Sequence, residues 1–284
     1  MSEPLSPVPL DVRLELARAA VQTVAQHVGA RVLHIKGATW DPSLRADPGH
    51  GTDVDVIVEP GGIPALDEAL RSHGWTVYST FRNGSPFEHA QTYWHPDWGY
   101  VDLHRCFPGI RLPADRAFAL LAAGGGTFDA AGVGCPVPGV DAQAVILMLN
   151  AARGTARDRA EADEIWDAAD AGIRRRRDGL VDALDARTGW AATRGTLEDF
   201  RGRPDHALWR VTVHGGSRVE EWWARVRAQQ TLSAALGTAL RAPLVNTDRL
   251  AHELGRRPGP MDVVRAFGAR ASRAARAVVG RGRA

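Results

Sequence analysis

Apolar and polar positions along the chain fall into stretches of two different periods. Residues 10–28, LDVRLELARAAVQTVAQHV, place apolar side chains at helical spacing, and Gly29 follows as a stop, so a helix is expected there. VLHI (32–35) reads as a short strand, and residues 38–52, with Pro42, Pro48, Gly49 and Gly51, read as a loop. DVDVIV (53–58) alternates cleanly and is β-branched, which predicts a strand, broken by Pro60, Gly61 and Gly62. Residues 63–74 are amphipathic and closed by glycine. WTVYSTF (75–81), HAQTYWH (89–95) and GYVDLHRCF (99–107) predict three more strands, the last two joined by the turn signal PDWG as an antiparallel hairpin. A short helix (114–123) leads to GGGTFDAAGVGCPVPG, loop-rich with one strand pair. Helical spacing then dominates, at 141–153, 158–171, 178–187, 219–241, 247–255 and 260–279. The expected fold class is α/β (α+β). A small mixed β-sheet backed by helices occupies residues 1–138, and a mostly helical C-terminal region occupies 139–284.

The 53–58 strand raises the chemical question. Residues i and i+2 of a strand share a face, so Asp53 and Asp55 point one way and Val54 and Val56 the other. Two adjacent carboxylates repel, and one takes up a proton unless a cation neutralises them. Mg²⁺ does so through oxygen ligands and keeps open positions for phosphate oxygens. A bare Asp-x-Asp on a solvated edge strand is the commoner case. The second strand weighs against that, because in YVDLH Asp102 and His104 also share a face. If the two strands are neighbours, three aspartates converge, enough to hold two metal ions about 4 Å apart for phosphoryl chemistry, with one carboxylate free to accept a proton.

The preceding loop supplies the anion-binding side. Lys36 is the sole lysine of the chain, against 34 arginines. A compact ammonium suits a triphosphate in a way a guanidinium fork does not reproduce. Gly37 allows backbone amides to approach phosphate closely, and Thr52 offers a hydroxyl. His104 is a candidate to contact the phosphates or position the base. The other histidines considered (34, 50, 89 and 95) form no metal-binding spacing.

Composition narrows the picture. The chain has 284 residues, 44% hydrophobic and 24% charged, with a net charge of +2, as expected of a globular protein whose charge gives no global reason to bind nucleic acid. Residues 256–284 hold eight arginines and one acid, a local basic stretch that either reflects arginine–alanine coding bias or contacts phosphates. RRRR (174–177) reads as a solvated inter-helix segment, and YWHPDWGY (93–100) as hairpin packing. The amino terminus lacks signal-peptide order, no apolar run reaches a membrane span, and Cys106 and Cys135 form no framework; reduced thiols in a cytoplasm are the expectation.

Lys36-Gly37, the loop, Asp53-Val-Asp55 with its apolar continuation, a helix and then Val101-Asp102-Leu103-His104 together resemble the polymerase-beta-type nucleotidyltransferase superfamily, especially its bacterial nucleotidyltransferase family proteins. The resemblance covers about residues 30–105; LPADRAF and VPGVDAQAVILMLNAARG continue it more faintly, with Ala152-Arg153 where the group carries a helical histidine. It implies a nucleotidyltransferase domain in residues 1–138. Its activity would move a nucleoside monophosphate from an NTP, ATP first among them, to an acceptor hydroxyl or similar group, with release of pyrophosphate. Lys36 and Gly37 would receive the nucleotide, Asp53 and Asp55 would hold Mg²⁺, and Asp102 would complete the metal and catalytic set. A small-molecule acceptor is favoured over tRNA or protein. Two other readings stand beside it: a phosphohydrolase using the same metals, and a catalytically inactive transferase-like binding protein in a biosynthetic or toxin–antitoxin pair.

Overall fold

A computed structural model describes residues 8–45, 49, 51–241 and 247–269. His50 and the basic residues 270–284 lie outside the described residues, as does the end of the helix expected over 260–279, which is helical over 260–269.

Five strands form the main sheet: β1 Val32–Ile35, β2 Asp53–Val58, β3 Thr76–Ser79, β4 Ala90–His95 and β5 Gly99–His104, in the order β1-β2-β5-β4-β3. The pair β2–β5 is parallel and every other pair antiparallel, so the sheet is mixed as expected. A parallel pair needs a long crossover. Here it runs through α2 (Ile63–Ser72), β3 and β4, and it puts Asp55 opposite Asp102. The β4–β5 turn is the expected hairpin, with Gly99 at φ +80°. Its aromatic residues pack within the fold only in part: Tyr93 is fully buried and donates its hydroxyl to Asp67, and His95 lies against Trp75 with ring centroids 4.9 Å apart, whereas Trp94 and Tyr100 are exposed.

Alternation sorts the sheet into two faces. Val54, Val56, Val58, Val101 and Leu103 pack against α1 (Leu10–His27) and α2 through Leu14, Ala17, Val21, Leu66 and Leu70. Leu33, Ile35 and Ile57 face the other way, into a cluster built with α3 (Ala114–Ala122) and α4 (Val140–Ala151). A β6–β7 hairpin (Gly126–Ala130, Val133–Val137) stands between these two helices in sequence. Helix α4, whose run AVILML (144–149) has no polar side chain, is buried on nearly every side, as a helix apolar on all faces there must be. The second cluster therefore runs through residue 139, joining strands to α5 (Ala156–Asp167) and α6 (Ala171–Ala183).

The helical region departs from the sequence pattern in three places. The arginine run lies inside α6 and not between helices: Asp170 caps that helix through the amides of Gly172 and Ile173, and Arg177 is buried with its Nε on Asp141 at 3.1 Å. Arginine is a good helix former, and charge alone misled the reading. Helices α7 (Arg187–Arg194) and α8 (His206–His214) fall where no helix was expected. The span 219–241 is two helices, α9 (Arg218–Ala228) and α10 (Leu232–Arg241), because Gln229 is extended and Gln230 reaches the Arg111 carbonyl at 2.8 Å. Helix α11 (Thr247–Leu254) follows. Among the described residues no helix is long and apolar enough to cross a membrane.

Gly189, within α7, marks where the core is tightest. A Cβ there would lie 2.7 Å from Leu149 Cδ2 and 2.9 Å from Trp209 Cζ2, side chains that are themselves fully buried. In an open helix Gly→Ala is stabilising by about 1 kcal/mol. Here Gly189→Ala should instead destabilise by about 1–3 kcal/mol through overpacking, measured by urea denaturation; a stabilised variant would show that the core can yield.

Candidate active site

Lys36 follows the last residue of β1, and the β1–β2 register sets Ile35 opposite Asp55. Strand pairing thus brings the lysine to the carboxylate pair: Nζ donates to Asp55 Oδ1 at 2.6 Å. The chain then makes a 3-10 turn, Gly37–Thr39, held by the Thr39 hydroxyl on the Lys36 carbonyl at 2.8 Å. Lys36 has φ 60° and ψ −178°, a region that is essentially glycine's and costs other residues about 1–3 kcal/mol.

Asp55 is buried, and a second donor meets the same oxygen: His104 Nε2 lies 2.7 Å from Oδ1. Burial alone would raise the Asp55 pKa, but the Lys36 charge and the His104 bond outweigh it and hold the carboxyl well below the usual range. The His104 ring is fully buried and stacked on Phe107 at 5.9 Å, and burial pushes its pKa down to about 4. A neutral imidazole bonded to a carboxylate must carry its proton on Nε2, which leaves Nδ1 without a partner.

Asp102 accepts from the Thr92 hydroxyl at 2.6 Å. Burial and the neighbouring charge of Asp55 push its pKa up to about 6. Asp53 is shifted in the same direction by burial and by Asp55. Ligand atoms of Asp55, Asp102 and His104 lie within 4.8 Å of one another. His104 commits its Nε2 proton to Asp55, whereas Asp53 and Asp55 both line a cavity of about 380 Å³ with Lys36 and Gly37. That cavity, with two carboxylates on its wall and a third behind, has the donor set a hard divalent ion takes.

Of the residues singled out in the sequence, Lys36, Gly37, Asp53 and Asp55 line the cavity, Asp102 lies across the β2–β5 register from Asp55, and His104 sits beneath. Thr52 is exposed, its hydroxyl 3.5 Å from Asp53 Oδ1. The far wall was not foreseen. Arg45, Asn150, Gly154 and Asp158 complete it, and Asp158 also closes the capping box of α5 with Thr155. Arg153 bonds Asn150 Oδ1 at 3.0 Å and stands 5.8 Å over the Phe107 ring. The Thr155-x-x-Asp158 pattern was the available signal for that helix start; nothing local marked Arg45 or Asn150.

No family model matches the chain, and no curated protein matches it. Among solved structures it is similar to an antigenic nucleotidyltransferase-like protein from Paracoccidioides brasiliensis, at 16% identity over 66% of this chain and 95% of that one, with a TM-score of 0.38. A tRNA nucleotidyltransferase complexed with a primer tRNA and an incoming ATP analog shares 16% identity over 77% and 79% of the two chains, TM-score 0.29. A tRNA-processing enzyme in an apo form shares 15% over 87% and 78%, TM-score 0.28. Likeness at this level says nothing of what this chain binds or does.

The strain at Lys36 makes Lys36→Gly more stable than Lys36→Ala, by about 1 kcal/mol once the 1–3 kcal/mol of strain is set against glycine's usual penalty. Equal melting points, or alanine ahead, would contradict that backbone conformation.

Asp102 gives a pH signature. Its folded pKa, about 6, exceeds the unfolded value near 4, so the native state holds the extra proton between them. That contribution is complete below about pH 4 and lost as pH rises through about 6. In chelator, Asp102→Asn should therefore exceed wild type in stability at pH 8 by on the order of 1–2 kcal/mol, and the gain should vanish near pH 4. A gain independent of pH would point to packing.

Proposed function

We propose that the chain is a Mg²⁺-dependent nucleotidyltransferase that moves a nucleoside monophosphate from an NTP, ATP first among candidates, to an acceptor hydroxyl on a small molecule in the cytoplasm. The observation that carries this reading is the cavity itself: Asp53 and Asp55 from one strand share it with the Lys36–Gly37 turn, and Asp102 stands opposite Asp55 on the neighbouring parallel strand. Asp53, Asp55 and Asp102 are the residues to hold the metal, which when bound would neutralise charge on the phosphates. In this reading Lys36 and the Gly37 turn receive the phosphate chain, and His104 positions Asp55 from below. Asp102, with a pKa of about 6, is suited to take the acceptor's proton near neutral pH. The acceptor oxygen bonds to the α-phosphorus, the α–β phosphoanhydride bond breaks, and pyrophosphate leaves with the bonding electrons. Residues 1–138 serve as the nucleotidyltransferase domain, and the helical region 139–284 supplies the acceptor side through Asn150 and Asp158.

One observation favours the non-catalytic alternative. The ion pair between Lys36 and Asp55 already satisfies a carboxylate that the chemistry needs free.

Incubation with labelled ATP, Mg²⁺ and pooled small metabolites separates the readings. Transfer should give pyrophosphate and a nucleotidyl adduct by mass spectrometry, and Asp53→Asn or Asp55→Asn should lower the rate by about 10²–10³-fold or more, the scale for removing one electrostatic group from a catalytic site. Orthophosphate without adduct would indicate a phosphohydrolase. Neither product, across all four NTPs, would indicate a binding protein.

A further inference from the structure

Three buried or part-buried cations feel the charge of the carboxylates, and among the described residues none has an ion-pair partner other than Asp55. Lys36 has Asp55 as its ion-pair partner. Arg153 bonds neutral groups, the Asn150 Oδ1 and the His89 Nε2, and feels the charges of Asp55 and Asp102. Arg18, on α1, is 2% exposed and stands 5.9 Å from the Phe128 ring. Among the described residues its guanidinium makes no ion pair, its Nη1 is buried without a partner, and the carboxylates it feels are Asp55 and Asp53. An unpaired charge this deeply buried is costly, and for both arginines the aspartates offset part of that cost.

The consequence concerns what the site admits. The Lys36 ammonium sits on Asp55, and the charges of Arg18 and Arg153 act on the same group of carboxylates, so part of their charge is already offset. A free divalent ion entering alone would leave excess positive charge in a buried place and would have to compete with an ammonium 2.6 Å from Asp55 Oδ1. A metal arriving with a polyphosphate meets neither obstacle, because the phosphate chain carries the compensating negative charge and offers Lys36 a new partner. We propose that Lys36, backed by Arg18 and Arg153, determines the specificity of this site for a metal–polyphosphate complex over the free metal: the ammonium occupies Asp55 until a phosphate chain draws it away. This rests on the nucleotidyltransferase reading for the identity of the ligand. It replaces the simpler expectation that three bare carboxylates bind metal by themselves, and by linkage the metal and the polyphosphate each strengthen the other's binding.

Mn²⁺ is the probe, with its free concentration followed by electron paramagnetic resonance on the chelator-treated full chain. In wild type, Mn²⁺ alone should bind weakly, and a non-hydrolysable ATP analogue should tighten it by about tenfold or more, since one unit charge a few ångströms away at an effective dielectric near 20 is worth more than that. Lys36→Met should bind Mn²⁺ alone about tenfold more tightly than wild type and lose most of the analogue's effect. Lys36→Gly, which relieves the backbone, should repeat the result and so guards against a folding artefact. Unchanged Mn²⁺ affinity in both folded variants overturns the inference, as does wild type that binds Mn²⁺ equally well with and without the analogue. The two readings fail separately. Coupled Mn²⁺–analogue binding without any transfer product would remove the transferase and leave the inference; transfer product with uncoupled binding would do the reverse; no Mn²⁺ binding under any condition would remove both.

Discussion

Asp55 is a carboxylate buried in the middle of a sheet, and that placement is tolerable because Lys36 lies 2.6 Å from it. Removing water from a charge costs several kcal/mol unless a partner with good geometry replaces it. The local architecture serves that pairing. The antiparallel β1–β2 register delivers Lys36 to the right height, the strained turn into Gly37 directs the chain away, and His104 supplies a second donor to the same oxygen.

The alternation of β2 and β5 divides labour between the faces of the sheet. Valines and leucines on one side join α1 and α2, while aspartates and His104 on the other side meet the helical region. The polar face is largely covered, because the helical region packs over it through α4, which is buried on nearly every side. Carboxylates that would titrate normally in water are therefore spread apart in behaviour: Asp55 is held ionised, and Asp102 is raised to about 6. Neighbouring carboxylates that diverge in this way are what a site needs to combine cation binding with proton acceptance.

Much of this was legible in the sequence, for reasons that differ by element. The strands 32–35 and 53–58 were readable because period and β-branching agreed; that the 53–58 and 99–104 strands are neighbours was only a condition in the sequence, and the structure meets it with a parallel pair. Lys36 stood out by being the one lysine. The helical region was less legible because its boundaries are tertiary: the break at Gln229 answers to a bond with the Arg111 carbonyl, and the run 174–177 is helical because Asp170 caps it and Asp141 pairs with Arg177. Arg18 escaped notice because one arginine among 34 gives no sign in sequence of which lacks a partner, and Arg153 was marked only as standing where the resembled group carries a histidine. His104 had been considered as a group to touch the nucleotide; in the structure it is fully buried with Nε2 2.7 Å from Asp55 Oδ1.

The central claim is that the Lys36–Asp55 pair is the resting form of a nucleotide-and-metal site. A crystal structure with Mn²⁺ and a non-hydrolysable ATP analogue, using anomalous scattering to locate the metal, tests it most directly. The account expects an anomalous peak ligated by Asp53 and Asp55, with the Lys36 ammonium moved from Asp55 to a phosphate oxygen. A nucleotide bound elsewhere, with Lys36 still on Asp55 and no metal between the two aspartates, would contradict it.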